Sequence, residues 1–482
     1  MLISKQAAMA LAVAQALWCA PVLAVSDNDL NELRDQLRQL RQQYEQRIDA
    51  LEKRLQQAEQ SAAQAKSDAT KAADAANTAQ ASADQATAQA SSKPASEGAF
   101  NPAVSLILNG TYGNLSRDPN AYRINGFVPT QGEIAPPARS FSLGESELAI
   151  SANIDHYFRG SLNASLAPDN TLEVEEANIQ TLGLSNGFTL KAGRFFSAIG
   201  YQNEVHAHAW DFTDAPLANK VFLGNQFADD GVQFKWLAPT DLYLDAGVEL
   251  GRGRRFPGGP DGGRSKNGVG AANLFAHLGG DLNDSTAWKL GLSNLRTRAE
   301  DRSYSDFDST GTTVTNAFSG TSSLWALSGV LKWSPNGNAT ERNFKLQGEY
   351  FRHNENGSLT YDSTAASLGP QSGGYASRQS GWYLQGVYQF MPQWRVGYRY
   401  DRLDSGSTRI GLVDSGALSA ADFPLLAGYN PTRNTIMVDW SGSEFSRLRL
   451  QLAQDRARLG AIDNQVFLQY IVSLGAHGAH QF

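Results

Sequence analysis

Cysteine is nearly missing from this chain of 482 residues. The single one, Cys19, lies in an N-terminal export-type segment. The exported chain therefore has no disulfide, no thiol nucleophile and no thiolate metal site. After residue 24 there is also no apolar run approaching the roughly 18–20 residues of a membrane-spanning helix. The formal charge of −7 gives no basic excess of the kind that binds nucleic acid. No serine stands in Gly-x-Ser-x-Gly with plausible partners, and His277 is the one histidine expected on a strand body, so no enzymatic activity is expected.

Residues 1–24 read as a signal peptide. Lys5 supplies the positive start, Ala7 to Ala20 the apolar stretch, and Val22-Leu23-Ala24 a small-residue cleavage site. Trp18 directly before Cys19 argues against lipidation. Residues 25–92 read as a periplasmic coiled coil, since Pro and Gly are absent from Ser26 to Ser92. Leu30, Leu33, Leu37, Leu40 and Tyr44 recur at alternating steps of three and four, with a stutter at Tyr44–Ile48. Leu51 and Leu55 resume the pattern, which continues as alanines from Ala58 to Ala90. About 65 helical residues make a rod of roughly 95 Å. A lone helix has nothing to bury such a seam against, so the seam implies self-association. The alternative is an Ala/Gln/Ser linker, helical only in its Leu half. Residues 93–101, with Pro94 and Gly98, link the rod to residues 102–482.

Those remaining residues alternate. In Leu242 to Leu250 the even positions are Leu, Leu, Ala, Val, Leu and the odd ones Tyr, Asp, Gly, Glu. A period of two is a strand with one apolar and one polar face. Strands are expected near 103–113, 142–154, 157–167, 172–183, 187–197, 230–238, 241–251, 270–283, 286–298, 323–334, 343–353, 380–391, 393–404, 432–440, 446–456 and 464–474. Every second connection is short, for example Asp155-His156 and Asn283-Asp284. The others, including 114–141, 198–229, 252–269, 299–322, 354–379 and 405–431, are long and polar. An exported chain of about 16 antiparallel strands with this loop asymmetry predicts an all-β transmembrane barrel in the Gram-negative outer membrane. Trp325-Leu327-Gly329-Leu331-Trp333 and Trp382-Leu384-Gly386-Tyr388-Phe390 form lipid-facing rows with aromatic ends.

The opposite faces supply the lumen. Lys191, Arg194, Lys235, Lys332, Lys345, Arg395, Arg399, Arg447 and Arg449 are the expected pore-lining or constriction residues. A focused positive lumen attracts anions; acids such as Asp245, Glu249 and Glu349 balancing these bases would leave a mixed-charge pore. Loop 198–229 holds Trp210, Phe212, Leu217, Val221, Phe222, Leu223 and Phe227, too apolar for water, and is expected to fold inward and narrow the pore. Within it, His206 and His208 with Asp211 and Asp214 are donors suited to a divalent metal such as zinc. Hydrogen bonding within the folded loop is the other use for these histidines. Arg252, Arg254, Arg255, Arg264 and Lys266 make a basic outer loop, suited to lipopolysaccharide phosphates or simply solvated.

With these residues in view, the chain resembles outer-membrane porins of the phosphate-selective type. The likeness rests on the Leu-rich coil after the signal peptide, on Gly144-Glu145-Ser146-Glu147-Leu148, on Glu175-Glu176-Ala177-Asn178-Ile179, and on Leu190-Lys191-Ala192-Gly193-Arg194-Phe195-Phe196 leading into the constriction loop. The resemblance implies trimers of 16-stranded barrels. There is no dense Arg/Lys ladder on adjacent strands, so phosphate selectivity is not carried over. The segment His206 to Phe212 and the tail with His477 and His480 look similar to a zinc-regulated, receptor-like branch of exported barrels. The expected function is passive diffusion of small hydrophilic solutes or ions through a homotrimer joined by coil and barrel. The alternatives are a metal-uptake or receptor-like transporter and a structural tether reaching peptidoglycan. A plugged receptor needs about 22 strands and a plug domain ahead of the barrel, and the coil takes that place here.

Overall fold

In the computed structural model, residues 102–475 are described except 131–133, 168–169 and 260–266, together with ten isolated residues between Arg38 and Gln60. Those ten are helical and exposed, and Arg41 Nε donates to Glu45 Oε1 at 3.0 Å one turn on. The seam of the predicted coiled coil, the signal peptide 1–24, the linker as far as Asn101 and the tail 476–482 lie outside the described residues.

Among the described residues, alternating sequence has become seventeen strand segments. They are β1 (Ala103–Leu115), β2 (Ser140–Leu143), β3 (Ser146–Asn153), β4 (Phe158–Leu166), β5 (Leu172–Thr181), β6 (Phe188–Phe196), β7 (Ala228–Leu237), β8 (Tyr243–Gly251), β9 (Ala271–Asn283), β10 (Thr286–Phe307), β11 (Thr313–Trp333), β12 (Asn343–Tyr361), β13 (Gln371–Met391), β14 (Trp394–Ile410), β15 (Thr432–Ser443), β16 (Ser446–Asp455) and β17 (Asp463–Gly475). β2 and β3 pair with the two halves of β1 and form one stave broken at Gly144-Glu145. Seventeen segments therefore make sixteen staves. Each is antiparallel to the next, and β1 pairs with β17, from Ser105 opposite Gly475 to Leu115 opposite Gln465. Closure leaves no unpaired sheet edge, the condition for strands to cross a bilayer.

The faces follow the pleat. On β11 the odd-numbered Trp325, Leu327 and Trp333 are exposed, and the even-numbered Leu324, Ala326 and Val330 are buried. From Trp325 to Trp333 the strand advances about 27 Å, close to the height of an apolar belt.

The outer ends differ from the sequence expectation. β10 to β13 run 19–22 residues, so 299–322 and 354–379 are largely strand rather than loop. Above the bilayer no face meets lipid, and the period of two loses its apolar half. Ser372-Gly373-Gly374 is ladder without that signature. Inside these extensions Val314, Phe318, Leu359, Tyr361 and Tyr375 pack with Leu412 and Phe423 of the β14–β15 connection, forming an apolar core at the mouth.

Substituting Leu327→Arg on the lipid face should cost about 2–4 kcal/mol if the site lies near the bilayer midplane. Urea unfolding from lipid vesicles should show that loss, and an unchanged midpoint would place Leu327 away from lipid.

Candidate functional site

Residues 197–227 leave β6, cross the lumen and rejoin β7. Ile199, Leu217, Val221, Phe222, Leu223 and Phe227 are too apolar for water. They bury against the inward Leu295, Leu324, Phe351 and Leu403 and against Ile124 and Phe127 of the first outer loop. Asn203 staples the two ends: its Nδ2 donates to Ser197 O (2.7 Å) and Phe227 O (2.9 Å), and its Oδ1 accepts from Phe227 N (2.6 Å). The segment is a strap, and its polar residues are held by two walls of opposite charge.

The first wall is acidic. On β3, Leu148 faces lipid and Glu147 faces in. On β5 the register with β4 shifts: Asn163 pairs with Glu176 and Ala164 with Val174, leaving Glu175 as a bulged extra residue. A bulge re-aims side chains. Glu175 and Glu176, consecutive in sequence, both reach the same strap histidine. His206 Nδ1 lies 3.0 Å from Glu147 Oε1 and 3.4 Å from Glu175 Oε2, and its Nε2 lies 3.1 Å from Glu176 Oε2. His208 Nδ1 lies 2.7 Å from Glu147 Oε2. Burial pushes the His206 pKa down, but the three carboxylates outweigh it and hold it well above the ordinary histidine range.

The second wall, β12 to β16, is basic. Asp211 meets Lys345 Nζ at 3.0 Å and Arg395 Nη1 at 3.1 Å. Asp214 meets Arg399 Nη2 at 3.2 Å, Lys220 Nζ at 2.9 Å and, closest, Arg433 Nη1. Burial pushes the Asp214 carboxyl up, yet Arg433, Lys220 and Arg399 hold it well below the usual carboxylate range. Arg449 and Arg447 donate to the Trp210 carbonyl at 2.8 and 3.3 Å, and the Arg399 guanidinium lies 4.8 Å from the Phe212 ring centre.

Of the basic residues read from the sequence, Lys191, Lys235, Lys332, Lys345, Arg395, Arg399, Arg447 and Arg449 point inward. Arg399 and Arg449 are only 1 % exposed and lie under the strap, away from open lumen. Lys235 faces Asp245 at 4.0 Å. Arg194 differs from its expected place. It sits three residues from the inward Lys191, an odd step that changes face. It is paired across β7 with Asp230, on the outer side with the exposed Leu190, Val232 and Phe234. Arg194 Nε donates to Asp230 Oδ1 at 2.6 Å there. The expected metal quartet is divided: His206 and His208 face the acidic wall, Asp211 and Asp214 the basic one. Sequence reasoning passed over Glu147, Glu175, Glu176 and Arg433 as site residues. The doubled carboxylate Glu175-Glu176 inside an alternating strand was the available sign of a bulge.

His277 is not the only histidine on a strand body. His353 on β12 is also inward, with Nε2 2.6 Å from Ser322 Oγ. Glu355 approaches that same nitrogen at 3.7 Å, so the three do not form a relay through both ring nitrogens.

Asp214→Ala should destabilise the barrel by about 3–5 kcal/mol, because it strands buried cations. The depressed folded pKa means that the carboxylate's contribution is complete above the unfolded value of 3.8 and is lost as pH falls through the folded one. Urea unfolding should therefore show a constant gap to wild type from pH 7 to about pH 4, narrowing only in stronger acid.

No family model matches the chain. Among solved structures it is similar to the loop-L8 deletion form of OmpT, an outer membrane protein of Vibrio cholerae, at 11% identity and TM-score 0.46, over 78% of this chain and 99% of that one. It is also similar to the outer membrane channel DcaP of Acinetobacter baumannii, at 10% identity and TM-score 0.45, over 79% and 99%. An anion-selective porin from Comamonas acidovorans matches at 10% identity and TM-score 0.46, over 78% and 99%. An uncharacterized protein of Aquifex aeolicus (strain VF5) is 30% identical over 414 residues, covering 81% of each chain. The chain belongs to the family of that Aquifex aeolicus protein.

Proposed function

We propose that this chain is an outer-membrane, porin-like channel that passes small hydrophilic solutes or ions by diffusion through a lumen narrowed by its own strap. The observation that carries the reading is the closed sixteen-stave barrel, whose inner face is polar and is crossed by residues 197–227 between an acidic and a basic wall. The export segment and lipid-facing rows support the outer membrane as its location. The Leu30–Leu55 seam supports a homotrimer joined by coil as well as barrel. Arg252 and Arg255 in the β8–β9 loop suit lipopolysaccharide phosphates.

The strap and the apolar core at the mouth both occupy space that a wide pore would leave to water, so the conductance should be small. Selectivity should be weak. Most of the inward arginines that would attract anions lie against shared aspartates: Arg395 against Asp439 and Asp211, Arg399 against Asp401 and Asp214, Arg433 against Asp214 and Asp455, and Arg449 against Asp439. The filled mouth favours a second reading, an occluded barrel that opens only on a signal, as the receptor-like alternative requires.

Planar-bilayer recording of the purified full-length protein distinguishes them. The channel reading expects small stepwise openings, grouped in threes for a trimer, with a reversal potential near zero in a salt gradient. Silence at every voltage would overturn it in favour of the occluded barrel.

A further inference from the structure

The histidines of the strap lie in a ligand set that the sequence pattern did not suggest. We propose that Glu147, Glu175 and His206 form a binding site for one divalent transition-metal ion of the zinc class.

Geometry comes first. An ion held tetrahedrally by bonds of 2.0–2.1 Å keeps its ligand atoms about 3.3–3.4 Å apart. His206 Nδ1 stands 3.0 Å from Glu147 Oε1 and 3.4 Å from Glu175 Oε2, and the three residues' ligand atoms all lie within 4.8 Å of one another. The donors need only small adjustments to surround an ion. The same Nδ1 is buried and makes no hydrogen bond of acceptable geometry, although two carboxylates flank it. A metal ion would bind that nitrogen by displacing its proton and would take the proton's place between the two carboxylates.

The surrounding contacts are those that orient metal ligands. A metal-bound histidine usually gives its other ring N–H to a carboxylate, which fixes its tautomer. Glu176 Oε2 lies 3.1 Å from His206 Nε2 and is itself held by Asn163 Nδ2 at 3.1 Å. The second oxygen of Glu147 is engaged by His208 Nδ1 at 2.7 Å. Lys191 is the cation nearest enough to act on Glu176, and Glu145 adds a further carboxylate beside Glu175. The donors come from three elements fixed by different forces: β3 by its ladder, β5 by its bulge, and the strap by its apolar helix Leu217–Leu223 and its basic-wall clasp. One imidazole with two carboxylates suits zinc-like ions. Calcium takes six to eight oxygens, and magnesium demands an oxygen octahedron. The site needs no conducting pore. Its failure would leave the channel reading intact, and silence in bilayers would leave the site intact.

The test is calorimetric titration of zinc chloride into the full-length protein, purified in detergent and stripped with a chelator. Each variant is first checked for a folded barrel by heat-modifiable gel mobility. The expected result is one strong ion per chain that millimolar magnesium or calcium does not displace. Glu176→Gln, which leaves the three ligands in place and removes the charge of the orienting carboxylate, should weaken binding by about 10–100-fold, and His206→Ala should weaken it further. Glu175→Gln keeps the side-chain shape and serves if His206→Ala fails to fold. The site is overturned if the folded wild type takes up no zinc. It is equally overturned if these variants bind as wild type does, which would place the ion elsewhere, such as on His477 and His480, or if calcium competes equally, which would mean carboxylates alone hold the ion.

Discussion

Asp214 is the charge on which the interior depends. It is buried on the strap with Arg399, Arg433 and Lys220 around it, and all three cations are at most 2 % exposed. A lone ion at that depth costs several kcal/mol, and removing one partner from such a group exposes the others to the full penalty. With Asp214 in place, Arg399 and Arg433 can lie buried beside an otherwise apolar helix that itself carries Lys220. Leu217 to Leu223 can then pack onto the barrel wall, with Leu217 N donating to Asp401 Oδ1 at 2.9 Å. Across the lumen the polarity is reversed, since the wall is acidic and the strap supplies the imidazoles. A strap with charges of one sign would find only one wall.

This arrangement changes the meaning of an arginine-rich lumen. A sequence count of inward bases suggests a positive pore, but a base facing a carboxylate at 3 Å contributes a dipole rather than a field. Arg395 with Asp439 and Asp211 is typical. The fixed charge of the open lumen is therefore set more by charged residues away from the clasp, such as the half-buried Lys191, than by the buried arginines.

The barrel was legible because lipid imposes a rule on every second residue. Trp325 to Trp333 and Leu242 to Leu250 can be read by eye, and the staves and short turns follow from that rule, whereas the inward course of residues 198–229 was legible from side chains too apolar for water, such as Trp210 and Phe222. Where lipid ends, so does the rule, and the outer reaches of β10 to β13 read as loop. The candidate site was half legible. His206-Ala207-His208 stands out as a pair, but its partners are 30 to 61 residues away in sequence, on strands that only the closed barrel brings opposite the strap. Arg194 shows the reverse: a conspicuous residue whose face is fixed by its odd step from Lys191. The bulge at Glu175 is a one-residue departure from strict alternation, visible in the doubled glutamate once the period of two is taken literally.

The strap is encoded between the sixth and seventh strands, yet its basic partners come much later. Asp214 meets Arg399 and Arg433 across 185 and 219 residues. Contacts that distant form only after a long stretch of chain has been brought together, and they are slow for that reason. The lumen thus cannot acquire its final packing while the barrel is still an open sheet. Until β14 and β15 arrive, Asp214 has only Lys220 of the strap itself as a cationic partner, and the helix lacks the part of its wall that Leu403 supplies. Completion of the interior is thus coupled to closure of the staves: a barrel without β14 and β15 would leave Asp214 short of two of its three cations where the finished one has a core.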